Sequence, residues 1–131
     1  MRLMMLLALA SVMASAQTCP TGVTHCNTLT ISCTNGCAGT GDPGTSLNVY
    51  RATTCAALTP LPATVYATIP MAASQTWQDA PTSTPLAPGN SFCYAVAPVN
   101  TGGIGPAGIT SLLVTPFQLP TVSPGVSGTA R

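Results

Sequence analysis

Residues 86–106, LAPGNSFCYAVAPVNTGGIGP, contain a turn, a strand and a loop in succession. A Pro-Gly turn at residues 88–89 precedes a segment in which larger side chains (Phe92, Tyr94, Val96) alternate with smaller ones. The segment ends in the glycine- and proline-rich residues 100–106. Alternation bounded by turn residues predicts a β-strand over residues 91–97.

Shorter segments of the same kind lie before and after this strand: residues 28–33 (TLTISC), 46–51 (SLNVYR), 76–79 (TWQD) and 109–115 (ITSLLVT). Between residues 52 and 75, three prolines leave room only for an edge strand near residues 61–67, because proline cannot donate to a central ladder. No stretch has sustained helical periodicity. The sequence therefore predicts an all-β fold.

The first sixteen residues are typical of an export signal, with Arg2, an apolar stretch over residues 3–12, and the small-x-small motif Ala14-Ser15-Ala16. Cleavage before Gln17 leaves 115 of the 131 residues, enough for one domain. Residues 117–131 (FQLPTVSPGVSGTAR) have the composition of a flexible C-terminal tail. We expect a signal peptide at 1–16, a domain at 17–116, and a secreted, periplasmic or cell-surface protein.

Charged side chains are rare after the signal: only Arg51, Arg131, Asp42 and Asp79 occur. Nucleic acid and anionic lipid are disfavoured as partners because both need clustered basic residues. No apolar run after the signal reaches the roughly 18 to 20 residues of a membrane span. Near-zero charge also favours self-association, since it weakens the repulsion between copies.

Six cysteines follow the signal (Cys19, Cys26, Cys33, Cys37, Cys55 and Cys93), and an even number in an exported chain indicates disulfides. The alternative is zinc, with Cys33 and Cys37 as half of a site that Cys19, Cys26 and His25 would complete. We expect disulfides, with neither a metal nor a cofactor.

The only candidate acid or base residues for catalysis are His25, Asp42 and Asp79. His25 has no carboxylate near it in sequence, Asp42 lies in the turn sequence Gly-Asp-Pro-Gly, and Asp79 ends a predicted strand. Two carboxylates make a poor calcium cage. We expect no catalytic residue, and an enzyme is the least favoured of three functional classes.

As a set, three stretches resemble a fibronectin type III domain of the bacterial secreted type. Residues 46–53 (SLNVYRAT) are similar to its third strand, 76–80 (TWQDA) to the strand before the crossing, and 86–106 to its sixth strand and loop. The resemblance covers residues 20–116 and implies a seven-stranded, immunoglobulin-like β-sandwich with disulfides. This chain departs from the family in having Phe92 for the usual tyrosine and Cys33 for the usual tryptophan.

The resemblance places the third and sixth strands side by side, which implies a disulfide between Cys55 and Cys93. Cys26 and Cys33 bracket one strand and would lie roughly 23 Å apart, too far to pair. Cys37, four residues past Cys33, cannot reach Cys26 either. Pairing Cys19 with Cys26 and Cys33 with Cys37 is then the simplest arrangement, although the sequence leaves the connectivity of these four open.

Trp77 is interpreted as a core residue, with a ligand-stacking platform as the alternative. The apolar segment 65–73 (VYATIPMAA) is interpreted as a loop that contacts a partner, or that folds over the sheet edge. The candidate partner surface comprises Tyr50, Tyr66, Ile69 and Met71, with Tyr50 predicted to point outward from its strand.

Family members mostly act as binding or spacing units, so the resemblance implies a non-catalytic recognition or adhesion module that binds a protein or carbohydrate surface. The alternative is a structural subunit of an extracellular or virion assembly that self-associates through a sheet edge or the C-terminal tail.

Overall fold

The computed structural model describes residues 11–14 and 19–114. Within them the protein is built from β-strands and two short 3-10 turns, Thr34–Cys37 and Cys55–Leu58, which confirms the all-β prediction. No helix in the described part of the chain is long and apolar enough to cross a membrane. The predicted tail, and most of the predicted signal segment, lie outside the described residues.

Nine strands form two main sheets. In chain order they are β1 (Ser11–Ala14), β2 (Asn27–Ser32), β3 (Ser46–Ala52), β4 (Ala67–Pro70), β5 (Ser74–Asp79), β6 (Ser91–Asn100), β7 (Gly103–Ile104), β8 (Gly108–Ile109) and β9 (Leu113–Val114). The first sheet has the order β1-β2-β5 and the second has the order β4-β3-β6-β7, with β8 and β9 also pairing with β6. Every pairing is antiparallel.

Two of the predicted strands differ most from the structure in their limits. The edge strand that the prolines permit is β4, which begins at Ala67, where the sequence analysis has it end. The predicted last strand, residues 109–115, is divided into β8 and β9 by residues 110–112, which lie outside both strands. Strand β1 falls inside the segment predicted to be the export signal.

The two sheets share one buried cluster of apolar residues. Strand β2 contributes Leu29 and Ile31, and Cys33, Cys37 and Ile69 also belong to the cluster. The facing strands β3 and β6 contribute Leu47, Val49, Tyr94 and Val96. The strand residues in this cluster are every second residue along each strand, because alternate side chains of a strand point to the same face.

A second buried cluster lies on the opposite face of β3 and β6. It contains Tyr50, Leu58, Cys93, Ala95 and Ala97. The 3-10 turn Cys55–Leu58 covers this face, and a disulfide between Cys55 and Cys93 joins the turn to β6. The central strands are therefore buried on both faces, which is why β6 contains almost no polar residue between its ends.

Three disulfides join Cys19 to Cys26, Cys33 to Cys37, and Cys55 to Cys93. These pairs agree with the expected arrangement. The first two close short loops of sequence separation 7 and 4, whereas the third joins residues 38 positions apart. No cysteine is left as a free thiol, and all six lie in the described part of the chain.

Candidate functional site

Asp79 is the centre of a polar network at the end of β5. Its side chain is buried, with a residue exposure of 2%. It accepts hydrogen bonds from Arg51 Nη1 at 2.9 Å, from the Tyr66 hydroxyl at 2.6 Å, and from the Tyr94 hydroxyl. Asn27 Nδ2 donates to the Tyr94 hydroxyl at 2.9 Å. The buried carboxylate is thus fully engaged by its neighbours.

The strand registers bring these groups together. Asn27 lies opposite Asp79 in the β2–β5 ladder, and Arg51 lies opposite Tyr94 in the β3–β6 ladder. Because the two ladders belong to different sheets, the network links the sheets to each other. A buried carboxylate without such partners would be strongly unfavourable.

Arg51 lies between two aromatic rings. Its guanidinium carbon is 4.1 Å from the centroid of the Tyr66 ring and 4.3 Å from that of Phe92. Trp77 meets Tyr66 and Tyr94 edge-on, with centroid distances of 6.2 Å in both cases. A planar guanidinium stacks well on aromatic faces, so these side chains form one arginine–aromatic cluster. Trp77 belongs to this cluster and packs against the core, which agrees with its interpretation as a core residue.

Burial and Asp79 together set the protonation of the cluster. Burial opposes the charged form of Arg51, but the hydrogen bond and attraction from Asp79 outweigh it and raise the pKa of Arg51. Burial, reinforced by the hydrogen bond to Asp79, raises the pKa of Tyr66 to about 12. The same two causes raise the pKa of Tyr94 above its usual value. At neutral pH both tyrosines are therefore neutral hydrogen-bond donors to a carboxylate that is paired with Arg51.

This arrangement is suited to holding the structure together. Both oxygens of Asp79 are engaged, since Oδ1 accepts from Tyr66 and Oδ2 from Arg51 and Tyr94. His25 is partly buried beside Cys26, and Asp42 is exposed in a loop, so the structure does not bring the three candidate catalytic residues together. Among the residues that the structure describes, no three His, Cys, Asp or Glu side chains cluster to hold a metal ion.

The predicted partner surface is wrong in two of its four residues. Tyr50 is 1% exposed and Ile69 is 8% exposed, so both belong to the core. Tyr50 is buried because the 3-10 turn Cys55–Leu58 covers the outer face of β3. Met71 is partly buried against the core. Only Tyr66, at 37%, is substantially exposed, so the four residues do not form one exposed patch.

The other exposed large apolar side chains in the described residues lie along the last strands. Ile104 is 54% exposed, Ile109 is 41% exposed, and Leu112 is 48% exposed. They occur in β7, in β8 and just before β9. We call these three residues the last-strand surface. This surface could not be recognised from the pattern of one regular strand over residues 109–115, because Thr110 is the buried residue there.

A pocket of about 270 Å³ adjoins one end of this surface. It lies between the loop containing Asp42 and the turn that joins β6 to β7, and Ile104 is part of its lining. Asn100 connects the two sides, because its Nδ2 donates to the backbone oxygen of Asp42 at 3.3 Å while its Oδ1 accepts from the Gly102 amide at 2.7 Å. The lining is rich in glycine, and the amides of Gly41, Gly44 and Gly105 donate to backbone oxygens within the chain.

A scan against protein-family models finds no match to this chain, and a search of the curated proteins finds no significant match either.

Proposed function

We propose that this protein is an exported, non-catalytic recognition or adhesion module with a fibronectin type III-like β-sandwich fold. The strand orders β2-β5 and β4-β3-β6-β7, all formed by strands after the predicted cleavage point, support the fold assignment, as does a core shared by the two sheets. In such a sandwich, antiparallel sheets pack face to face and leave loops and edge strands available for binding.

Three disulfides support export, because disulfides persist in oxidising compartments and are rare in the cytosol. The sequence features of residues 1–16 point in the same direction. We therefore place the mature protein outside the cytoplasm, either free or on a cell surface.

The observation that carries the recognition function is the last-strand surface. Ile104, Ile109 and Leu112 are all exposed and lie on or beside strands that pair with β6, so apolar side chains follow this edge of the second sheet. The surface carries no charged side chain, so its partner is best matched by an apolar patch on another protein. The pocket beside Ile104 adds a concave region of about 270 Å³ next to this surface.

The scaffold holds this surface rigidly. Strands β7, β8 and β9 each pair with β6, and β6 is joined by the Cys55–Cys93 disulfide to the turn that covers its other face. The backbone N–H of Thr110 donates to the Tyr94 carbonyl at 2.9 Å, which fixes the segment between Ile109 and Leu112. A surface held in this way loses little conformational entropy on binding.

The test uses labelled mature protein and the outer surface of the cells that produce it. We expect saturable binding, and we expect the double substitution Ile104→Ser with Leu112→Ser to weaken it by about tenfold or more, given roughly 1 kcal/mol for each truncated contact residue. Val23→Ser, a partly buried apolar residue in the Cys19–Cys26 loop, is the matched control and should leave binding unchanged.

Treating the cells with protease should abolish binding, whereas periodate oxidation of surface sugars should not. Equal binding by the double variant and the wild type would overturn the proposed surface. Absence of saturable binding would overturn the recognition function itself.

A further inference from the structure

The first sheet of the described structure depends on a strand that export is expected to remove. β1 pairs with β2 from Ser11 opposite Ser32 to Ala14 opposite Leu29. Cleavage before Gln17 would take β1 away, because all of β1 precedes that residue. β2 would then become an edge strand in the mature protein, with its other side still paired to β5.

The edge uncovered in this way lacks the usual protection against strand pairing. β2 has the sequence NTLTIS, without a charged residue or a proline. Its pairing with β5 is continuous from Asn27 to Ser32, without a bulge. Natural edge strands are normally blocked by lysine, proline or a bulge, so an unblocked edge of six residues favours the addition of another strand.

The sequence of β2 is complementary to itself. Thr30 is flanked in sequence by the apolar residues Leu29 and Ile31. The next residue outward in each direction, Thr28 or Ser32, carries a hydroxyl group. An antiparallel second copy with Thr30 opposite Thr30 places Leu29 opposite Ile31 and Thr28 opposite Ser32. Leu29 and Ile31 are fully buried and face the core, so this register keeps apolar residues on one face and hydroxyl residues on the other.

The other edge of the same sheet does not have this property. In β5 (SQTWQD), a twofold axis at Thr76 would place Gln75 opposite Trp77. An axis at Trp77 would place two indole side chains opposite each other. β5 also ends in Asp79, whose carboxylate is engaged by the arginine–aromatic cluster. Antiparallel pairing with a second copy therefore places similar side chains opposite each other at β2 and dissimilar or bulky ones at β5.

We propose that the mature chain forms a twofold-symmetric dimer in which β2 of one copy pairs antiparallel with β2 of a second copy. The two sheets then join into one, in the order β5-β2-β2-β5. The second copy takes the position that β1 occupies, which also lies beside β8. The inference rests on the export part of the proposed function and does not use the recognition role of the last-strand surface.

Thr30 provides the test because its side chain is only partly buried and lies at the proposed twofold axis. The mature protein, recovered from the medium, is analysed by sedimentation equilibrium and native mass spectrometry. Wild type should be a dimer in equilibrium with monomer. Thr30→Lys and Thr30→Glu should each weaken the dimer by about tenfold or more, because each places like charges directly opposite each other.

Mixing the lysine and glutamate variants should restore a dimer that contains one copy of each. Thr76→Lys is the matched control, since Thr76 is the neighbour of Thr30 across the β2–β5 ladder and should leave the dimer intact. Urea unfolding of each variant establishes that it is folded.

A wild-type monomer at high micromolar concentration would overturn the proposal, as would a dimer unaffected by Thr30→Lys. Loss of the dimer on deletion of residues 117–131 would assign the contact to the tail and also overturn it. Amino-terminal sequencing distinguishes the two kinds of failure. A chain that retains residues 1–16 refutes export, whereas a cleaved monomer refutes the dimer alone.

Discussion

The guanidinium of Arg51 lies 2.9 Å from the carboxylate of Asp79, and the side chain of Asp79 is 1% exposed. These two residues form the only salt bridge in the described part of the chain, and they come from different sheets. Because Asp79 also accepts two tyrosine hydroxyls, the pair organises the arginine–aromatic cluster. We interpret the cluster as the polar link between the sheets, and four predictions follow from this and from the disulfides.

Asp79→Asn should destabilise the protein by about 2 to 4 kcal/mol, because it removes the charge that Arg51 pairs with and weakens the hydrogen bonds from two tyrosines. The free energy of unfolding in urea measures this. Asp42→Asn is the matched control: Asp42 is exposed, so the change should stay within about 0.5 kcal/mol. Equal changes in the free energy of unfolding for the two substitutions would show that the Asp79 network does not stabilise the protein.

Arg51→Lys should cost about 1 kcal/mol, because lysine keeps the positive charge but cannot stack a planar group between Tyr66 and Phe92. Arg51→Met should cost more, about 2 to 3 kcal/mol, because it leaves the buried Asp79 without a counter-charge. Both are measured by urea unfolding at neutral pH. If methionine is tolerated as well as lysine, the stacking and the ion pair are unimportant.

Stability should fall in alkaline solution. The pKa of Tyr66 is raised to about 12, and that of Tyr94 is raised as well. Tyrosine in an unfolded chain has a pKa of about 10, so the unfolded state releases its protons first and is favoured as the pH rises. The contribution of Tyr66 is complete below about pH 10 and is lost as the pH rises through about 12.

The urea midpoint, measured as a function of pH from neutral upward, should therefore decline above about pH 10. Tyr66→Phe should make the decline shallower because it removes one of the groups that titrate. An identical slope in wild type and variant would contradict this origin of the pH dependence.

The disulfides should differ in how much each contributes to the free energy of unfolding. Replacing Cys55 and Cys93 by alanine opens a link between residues 38 positions apart, which the chain-entropy treatment values at about 4 kcal/mol. Replacing Cys19 and Cys26 opens a link of separation 7, valued at about 2 kcal/mol. Urea unfolding of the two double variants compares them. The opposite order would show that loop length does not govern their effects.

The sequence predicts the central strands well because their alternation is strong. The cores of β3 and β6 were expected from residues such as Val49 and Val96, and the structure extends each strand by only a few residues. The limits of β4 and of the last strands were predicted less accurately. In those segments prolines and glycines interrupt the pattern, and the choice of paired residues depends on contacts with strands distant in sequence.

Tyr50 shows where an argument from alternation fails. Position 50 alternates with Leu47 and Val49 in the way that an outward residue should, but the turn Cys55–Leu58 covers that face. Periodicity identifies the two faces of a strand and does not indicate whether both are covered. The expected disulfide between Cys55 and Cys93 was the feature that could have indicated that residues 55–58 cover this face.

The Asp79 network was missed for a related reason. Asp79 and Arg51 are 28 residues apart, and the register that joins them is set by the sheets. In a chain with so few charges, one acidic and one basic residue on two of the predicted strands were the available sign of a pair. The aromatic partners Tyr66 and Phe92 could be recognised only from the folded arrangement.

Export with disulfide formation is the central claim, since both the recognition module and the open β2 edge depend on it. The most direct test is the intact mass, with amino-terminal sequencing, of the unreduced protein recovered outside the producing cells. We predict a chain that begins at Gln17 and contains three disulfides, so that reduction adds two hydrogens for each. A chain that begins at Met1 and stays inside the cell with its cysteines reduced would contradict the account.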